Sequence, residues 1–226
     1  MPSLSIIIPF RNEAENVSAV MDEILAFHPA AEIIAVDDAS TDDTKSALSA
    51  YPIRYVALAS RGGKGRAVYA GLSLATAPIT AIIDGDGQYD PKDITTALER
   101  LLREKLDLIN GCRQDRCDSH STKLASAVAN GIRRHILNDS VRDAGSGLKI
   151  FRTSTARQLL IPFEGMHRYI TTIFEKTGKS IAEMPINHRP RLHGTSHYTH
   201  TGRALRSIPQ MIKVARHIKK LNKSRA

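Results

Sequence analysis

Through the first half of the chain, short runs of β-branched and aliphatic residues alternate with amphipathic stretches. Period-two or continuous apolar runs bounded by polar clusters predict strands over 4–8, 33–36, 53–58, 79–83 and 106–110. Between them, apolar residues recurring at three- and four-residue intervals predict helices near 16–27, 41–50, 65–74 and 91–105. Asp90 before Pro91 is a favourable start for the last of these, an acidic cap followed by a proline that needs no amide hydrogen. Strand and helix in regular alternation give a parallel sheet covered by helices, an α/β fold.

The pattern weakens after Gly111. Residues 113–121 are polar and read as a surface loop, followed by a helix over 123–137, a strand over 148–151, a helix over 168–177 and a strand over 181–187. Near the C-terminus, Leu205, Ile208, Ile212, Ala215 and Ile218 fall at helical spacing with basic residues between them. An amphipathic helix is expected there, bent or delayed by Pro209.

Charge sharpens this division. Of 32 Lys and Arg residues, eight lie from Arg203 onward, where there is no Asp or Glu; the first 202 residues then hold 24 basic against 23 acidic residues. All but one unit of the net charge of +9 therefore belongs to the tail. We divide the chain accordingly into a body, 1–202, and a basic amphipathic helix, 203–226. At 42% apolar and 24% charged residues the chain is ordinary for a globular domain. No run approaches the roughly 20 apolar residues of a membrane span, and the apolar stretch 2–10 is too short for a signal peptide, so a cytoplasmic protein with peripheral membrane contact is expected. Cys112 and Cys117 match no zinc spacing and read as reduced thiols.

Three polar segments follow predicted strands. In Asp84-Gly85-Asp86-Gly87-Gln88 the carboxylates are two residues apart, so extended chain points them to one side. With the Gln88 amide oxygen they form an all-oxygen set suited to Mg²⁺ or Mn²⁺, and Gly85 and Gly87 would admit a diphosphate; a solvated acidic turn is the plain alternative. After the 33–36 strand come Asp37 and Asp38, either of which can accept hydrogen bonds from a nucleobase or ribose, while Ser40 or Thr41 can cap the next helix. Arg61-Gly62-Gly63-Lys64-Gly65-Arg66 precedes a helix, so its amides and Lys64 can hold phosphate oxygens, although a flexible basic turn has the same composition. A parallel sheet brings these loops to one rim, where open α/β sheets bind ligands.

The ordered set Ser5-Ile6-Ile7-Ile8-Pro9-Phe10-Arg11-Asn12-Glu13, Val36-Asp37-Asp38-Ala39-Ser40-Thr41-Asp42, Gly63-Lys64-Gly65 and Asp84-Gly85-Asp86-Gly87-Gln88 resembles the successive signatures of family 2 glycosyltransferases. Asp90-Pro91, Asp143-x-x-Ser146-Gly147-Leu148-Lys149 and the run from His188 to Tyr198 resemble the dolichyl- and polyprenyl-phosphate subgroup. The resemblance implies a GT-A fold and an inverting transfer from a nucleotide-sugar donor to a lipid-phosphate acceptor. Pro9, Arg11, Glu13 and Asp37 or Asp38 would line the nucleoside pocket, with Lys64, Asp84 and Gly85 also on the donor. Asp84, Asp86 and Gln88 match the metal positions. Arg113, Ser146, Arg191 and Ser196 would contact phosphate of donor or acceptor, with Lys149 beside the acceptor; Asp86, Arg113 and Arg191 are the expected catalytic groups. The usual Lys after Ser196 is His197 here, and Gly87 replaces a bulkier residue.

Family 2 enzymes that act on sugar hydroxyls typically carry a Glu-Asp base motif and often a Gln-x-x-Arg-Trp, and this chain has neither, nor any Trp. A hydroxyl nucleophile needs a general base, for which Asp143 is the candidate; a phosphate monoester is already an anion near neutrality. The absent base motif fits a polyprenyl-phosphate acceptor, with a GDP- or UDP-sugar as the expected donor, and the basic tail fits an anionic membrane surface. Family members often have transmembrane helices after the catalytic domain. The expectation here is that the tail, alone or with a membrane partner subunit, takes their place, or that they are not needed. A nucleic-acid-binding module is the rival of another class, supported by the pI of about 9.7 but by no motif and few aromatics, and nucleic acid is not expected as a partner.

Overall fold

Strands that are apolar at nearly every position need cover on both faces. In β1 (Leu4–Phe10), Ile6, Ile8 and Phe10 enter one core and Ile7 the other, each at most 1% exposed. β2 (Glu32–Asp37) repeats the division, with Ile33 and Ala35 on the first face and Ile34 and Val36 on the second. At roughly 2–5 kcal/mol lost per large aliphatic side chain cut back to Ala, this double-sided packing fixes the centre of the sheet.

The computed structural model describes residues 3–114, 131–191, 193–194 and 200–224. β3 (Arg54–Ala57), β4 (Ile79–Ile82), β5 (Leu108–Arg113), β6 (Lys149–Arg152) and β7 (Ile181–Ile186) complete a seven-stranded sheet in the order β3-β2-β1-β4-β6-β5-β7. All strands run in one direction except β6, which is antiparallel to both neighbours. α1 (Ala14–Phe27), α2 (Thr44–Leu48) and α4 (Lys92–Arg103) put their buried residues in the first core. α3 (Lys64–Leu74), α5 (Thr153–Leu159), α6 (Ile170–Lys176) and α7 (His200–Lys223) put theirs in the second. Residues 131–137 are also helical, as is a 3₁₀ turn at Met166–Arg168.

Several boundaries differ from the sequence reading for local reasons. α2 begins at Thr44 instead of near 41, because Asp42 Oδ1 accepts from both the Thr44 amide (3.1 Å) and hydroxyl (2.6 Å). Neither Ser40 nor Thr41 caps it: the Ser40 hydroxyl accepts the Asn12 amide at 3.0 Å. β5 runs to Arg113, placing that residue on a strand where a loop was expected, and α5 was not anticipated. The expected helix near 168–177 is the 3₁₀ turn followed by α6. α4 starts at Lys92 with Pro91 in the cap position, one residue later than expected, and Asp90 just before it accepts the Lys92 amide at 3.0 Å. Of the 123–137 helix only 131–137 lies within the described residues, and most of the 113–121 loop lies outside them.

The C-terminal helix runs through Pro209, so that residue does not delay its start. Its packing stripe is Met211, Val214, Ala215, Ile218 and Leu221, all set in the second core. Ile208 and Ile212, grouped on the same apolar face in the sequence, are each 42% exposed and point away from the body.

Candidate active site

Because β6 alone is reversed, the rim at the carboxyl ends of the other strands also receives the chain entering β6. That rim gathers residues 11–13 after β1, 38–43 after β2, 58–63 after β3, 83–90 after β4, Arg113 at the end of β5, 143–148 before β6 and 187–191 after β7. Side chains lace these loops together. Arg11 donates to the Asp38 carbonyl at 2.8 Å, and the Arg189 amide donates to the Gln88 carbonyl at 2.8 Å.

At the nucleoside end Asp37 and Asp38 are both buried, and both carboxylates have partners. Asp37 accepts the Ser40 amide (2.8 Å) and the Tyr55 hydroxyl (3.0 Å). Asp38 accepts the amides of Gly62 (2.6 Å) and Gly63 (2.9 Å), while the Gly65 amide donates to the Glu164 carbonyl at 2.9 Å. The amides of Gly62, Gly63 and Gly65 are therefore turned into the protein, not outward as a phosphate cradle would need. What the loop presents is the Lys64 side chain, which pairs with Asp84 Oδ1. Pro9 lies on β1 opposite Val36, and Glu13 follows at the rim.

Asp84 and Asp86 lie within one turn after β4. Gly85 between them is required by packing, since a Cβ there would lie 2.5 Å from the Phe10 ring. Asp86 is buried, and burial first, then the neighbouring Asp84 charge, raises its carboxyl to about 6 against the pull of Arg191 and Lys64. Arg191 bridges Asp86 (2.9 Å) and Glu13 (2.8 Å). Gln88 donates through Nε2 to the Arg189 carbonyl at 3.3 Å. Two adjacent carboxylates, each held by a cationic side chain, fit the charge a divalent ion would supply. Among the described residues no group of three or more His, Cys, Asp or Glu is arranged for a metal, so further ligands would be Gln88, diphosphate oxygens or water.

On the opposite side Arg113 forms a bidentate pair with Asp143, Nε to Oδ2 at 2.7 Å and an Nη to Oδ1 at 2.9 Å. Burial pushes the Asp143 carboxyl up, but the Arg113 hydrogen bonds and charge more than offset this and hold it below the usual carboxylate range. Ser146 is buried, its hydroxyl accepting the Leu148 amide at 3.3 Å. Lys149 is 2% exposed and its ammonium donates to the carbonyls of Ser146 (2.6 Å) and Ala144 (3.4 Å). Burial, reinforced by Lys64, lowers it to about 7. Lys149 thus shapes the 143–148 turn through its carbonyls. Ser196 lies outside the described residues.

The structure gives roles to residues for which the sequence reading named none. The Tyr89 hydroxyl accepts the Gly147 amide at 2.7 Å, holding the 143–148 turn against Asp84. Glu183 on β7 accepts from Asn110 (3.0 Å) and the Arg142 amide (3.0 Å), fixing the approach to Asp143. Arg189 joins Glu23 and Asp90. Their only sequence signal is proximity to a motif, since each acts across a long sequence separation. Gly147 matters most directly: a Cβ there would lie 2.5 Å from the Asp84 carboxylate. Gly147→Ala is expected to displace Asp84 and lower sugar-transfer kcat about 100-fold, with a small change in the circular-dichroism melt, because displacements near 1 Å cost on that scale.

Comparison with known proteins agrees with this arrangement. The chain is 35% identical over 208 residues to the dodecaprenyl-phosphate galacturonate synthase of Rhizobium johnstonii, covering 86% of this chain and 61% of that protein. It is 29% identical over 206 residues to the undecaprenyl-phosphate 4-deoxy-4-formamido-L-arabinose transferase of Sodalis glossinidius, covering 87% and 63%. The chain thus spans about three-fifths of the length of these curated relatives. In fold it is similar to glucosyl-3-phosphoglycerate synthase of Mycobacterium tuberculosis, with a TM-score of 0.75 at 21% identity over 95% of this chain and 81% of that one. That enzyme's complex with Mn²⁺ and UDP-glucose gives a TM-score of 0.73 at 21% identity, over 93% and 78%. The family model for glycosyl transferase family 2 matches residues 5–160, from β1 to just past α5 and including every rim loop up to the 143–148 turn, so the chain belongs to glycosyl transferase family 2.

Proposed function

We propose that this chain carries out inverting transfer of one sugar from a GDP- or UDP-sugar to the phosphate of a polyprenyl lipid. The observation that carries the acceptor class is the Arg113–Asp143 pair. Asp143, the carboxylate available to activate a hydroxyl acceptor, is committed to a guanidinium through both oxygens and is held below the usual carboxylate range, which makes it a poor base. A phosphate monoester asks for no base. The names of the two curated relatives, which specify dodecaprenyl and undecaprenyl phosphate, support the same acceptor.

In this reading a phosphate oxygen of the acceptor bonds to the anomeric carbon as the carbon–oxygen bond to the nucleoside diphosphate breaks. The electron pair leaves with the diphosphate, no proton moves, and the anomeric centre inverts. Asp84, Asp86 and Gln88 would hold Mg²⁺ or Mn²⁺, which when bound neutralises charge on the departing diphosphate. Asp38 fixes the loop that carries Lys64 toward that diphosphate, and Pro9, Arg11, Glu13 and Asp37 frame the nucleoside end. Arg113, set by Asp143, and Arg191 orient phosphate, while Lys149 and Ser146 hold the turn beside them. Ser196 belongs to the same acceptor set by resemblance.

The C-terminal helix supports a membrane-facing role at the cytoplasmic leaflet. No helix among the described residues is long and apolar enough to cross a bilayer, but Ile208 and Ile212 are exposed on a helix whose charged residues are all basic. Each Lys or Arg near an anionic leaflet contributes on the order of 1 kcal/mol.

Incubation with Mn²⁺, radiolabelled GDP-mannose, UDP-glucose or UDP-N-acetylglucosamine and undecaprenyl phosphate is expected to place label in the organic phase, and EDTA to prevent it. Label reaching only saccharide acceptors would overturn the acceptor class. Sedimentation with protein-free vesicles, expected for anionic and not for neutral lipid, separates binding to the bilayer itself from recruitment by a membrane partner subunit.

A further inference from the structure

The carboxylates of the 84–88 loop are paired with cations of the chain itself. Lys64 caps Asp84, and Arg191 caps Asp86. The two cations are not equivalent. Arg191 holds Glu13 at 2.8 Å through its other Nη, so it keeps a carboxylate partner if Asp86 is taken from it. Lys64 has Asp84 as its ion-pair partner, and once separated its ammonium must find another anion.

The surroundings allow little else to adjust. The backbone on either side of Lys64 is pinned, by Asp38 on the amides of Gly62 and Gly63 and by the Glu164 carbonyl on the amide of Gly65. Asp84 is backed by Gly147, whose Cα lies so close that even a methyl group would overlap the carboxylate. With the backbone and Asp84 both fixed, the flexible four-carbon stem of Lys64 is the part that can move. A divalent ion settling on Asp84 puts positive charge beside the ammonium and takes the oxygen it was using. The anion that arrives with such an ion is the diphosphate of the donor.

We propose that Lys64 is the resident counter-cation of the metal site and couples metal to diphosphate: the ion displaces it from Asp84, and the donor diphosphate re-satisfies it. Each ligand then tightens the other through one side chain, and by linkage the coupling is reciprocal. This rests on reading Asp84, Asp86 and Gln88 as a metal site, and it adds that a lysine competes with the ion for that site until the diphosphate engages the lysine.

Calorimetric titration of the full chain with Mn²⁺, alone and with saturating UDP or, in parallel, GDP, tests it. For the wild type, whichever nucleotide binds is expected to tighten Mn²⁺ about 10-fold or more. In Lys64→Met, Mn²⁺ alone is expected to bind about 5-fold tighter, because the competing cation is gone, and the tightening by nucleotide to shrink about 5-fold. Arg61→Met, which removes an exposed charge from the same loop, is expected to match the wild type. Lys64→Gln and a circular-dichroism melt guard against misfolding of the first variant. If the wild type binds Mn²⁺ and a folded Lys64 variant shows unchanged affinity and coupling, this proposal is overturned while the metal site stands. If the wild type binds Mn²⁺ neither alone nor with nucleotide, the metal-site reading fails and the coupling falls with it.

Discussion

Asp86→Ala is expected to reduce metal-dependent sugar transfer to background, a loss of about 1,000-fold or more, because it removes one of two carboxylates that would hold the ion and with it several kcal/mol of charge stabilisation. The same change is expected to leave the fold intact or firmer. In the sequence Asp86 reads as an exposed strand-end carboxylate; in the structure it is 8% exposed and lies beside Asp84. Its charge is thus an expense to the metal-free protein, and Arg191 retains Glu13 when it is lost.

The sign follows from linkage. Asp86 titrates near 6 in the folded chain against an ordinary value of 3.8, so between roughly pH 4 and 6 the folded state holds a proton that the unfolded state has released. Stability contributed by this group is therefore present below that window and is lost as pH rises through it, by on the order of 1–3 kcal/mol. Thermal melts in EDTA from pH 4 to 8 are expected to show the wild type losing stability relative to Asp86→Asn across that range. Parallel curves would mean that the carboxylate is not strained by its surroundings, and full activity in Asp86→Ala would remove the metal site.

Asp143→Ala is expected to destabilise the protein by about 3–5 kcal/mol, since it leaves the Arg113 guanidinium shielded from water without its partner. Asp143→Asn separates positioning from base catalysis. The amide retains one acceptor for Arg113, so the expected change is a rise in KM for the lipid phosphate with a modest change in kcat. A base at this position would instead lose about 100- to 10,000-fold in kcat with KM unchanged, and that result would favour a hydroxyl acceptor. The pH profile gives a second view. Because Arg113 holds Asp143 low, the acid limb of the rate at saturating Mn²⁺, where a bound ion would keep Asp86 ionised, is expected to follow the second ionisation of the acceptor phosphate, near pH 6, and to persist in Asp143→Asn.

The layout of the fold was legible wherever a local rule governs it. The two-sided burial of Ile6 to Ile8 and the acceptor Asp90 before Pro91 each depend on neighbours within a few residues, and each appears in the structure close to where it was read; Asp84 and Asp86, read as extended chain, lie instead in a turn after β4. Illegible features depend on partners far along the chain. The Gly62 and Gly63 amides suggested a phosphate cradle until Asp38, over 20 residues away, was seen to occupy them. Lys149 was expected beside an acceptor phosphate, and instead supports carbonyls of the preceding turn from a fully enclosed position. The apolar spacing of the C-terminal helix was correct as a helix but misassigned as a single face, because which residues meet the body depends on the surface it docks against.

By itself, then, the sequence determined most of the elements, the family and the kinds of groups gathered at one rim, since residue type, spacing and order carry those directly. Tertiary structure alone decided which groups are already spent on one another. Reversal of β6 brought the 143–148 turn to Asp84, and burial there made the pairings of Lys64 with Asp84, Arg191 with Asp86 and Arg113 with Asp143 consequential. Charge pairing and desolvation depend on distance through space, and that distance exists only once the sheet has closed the gaps between remote segments.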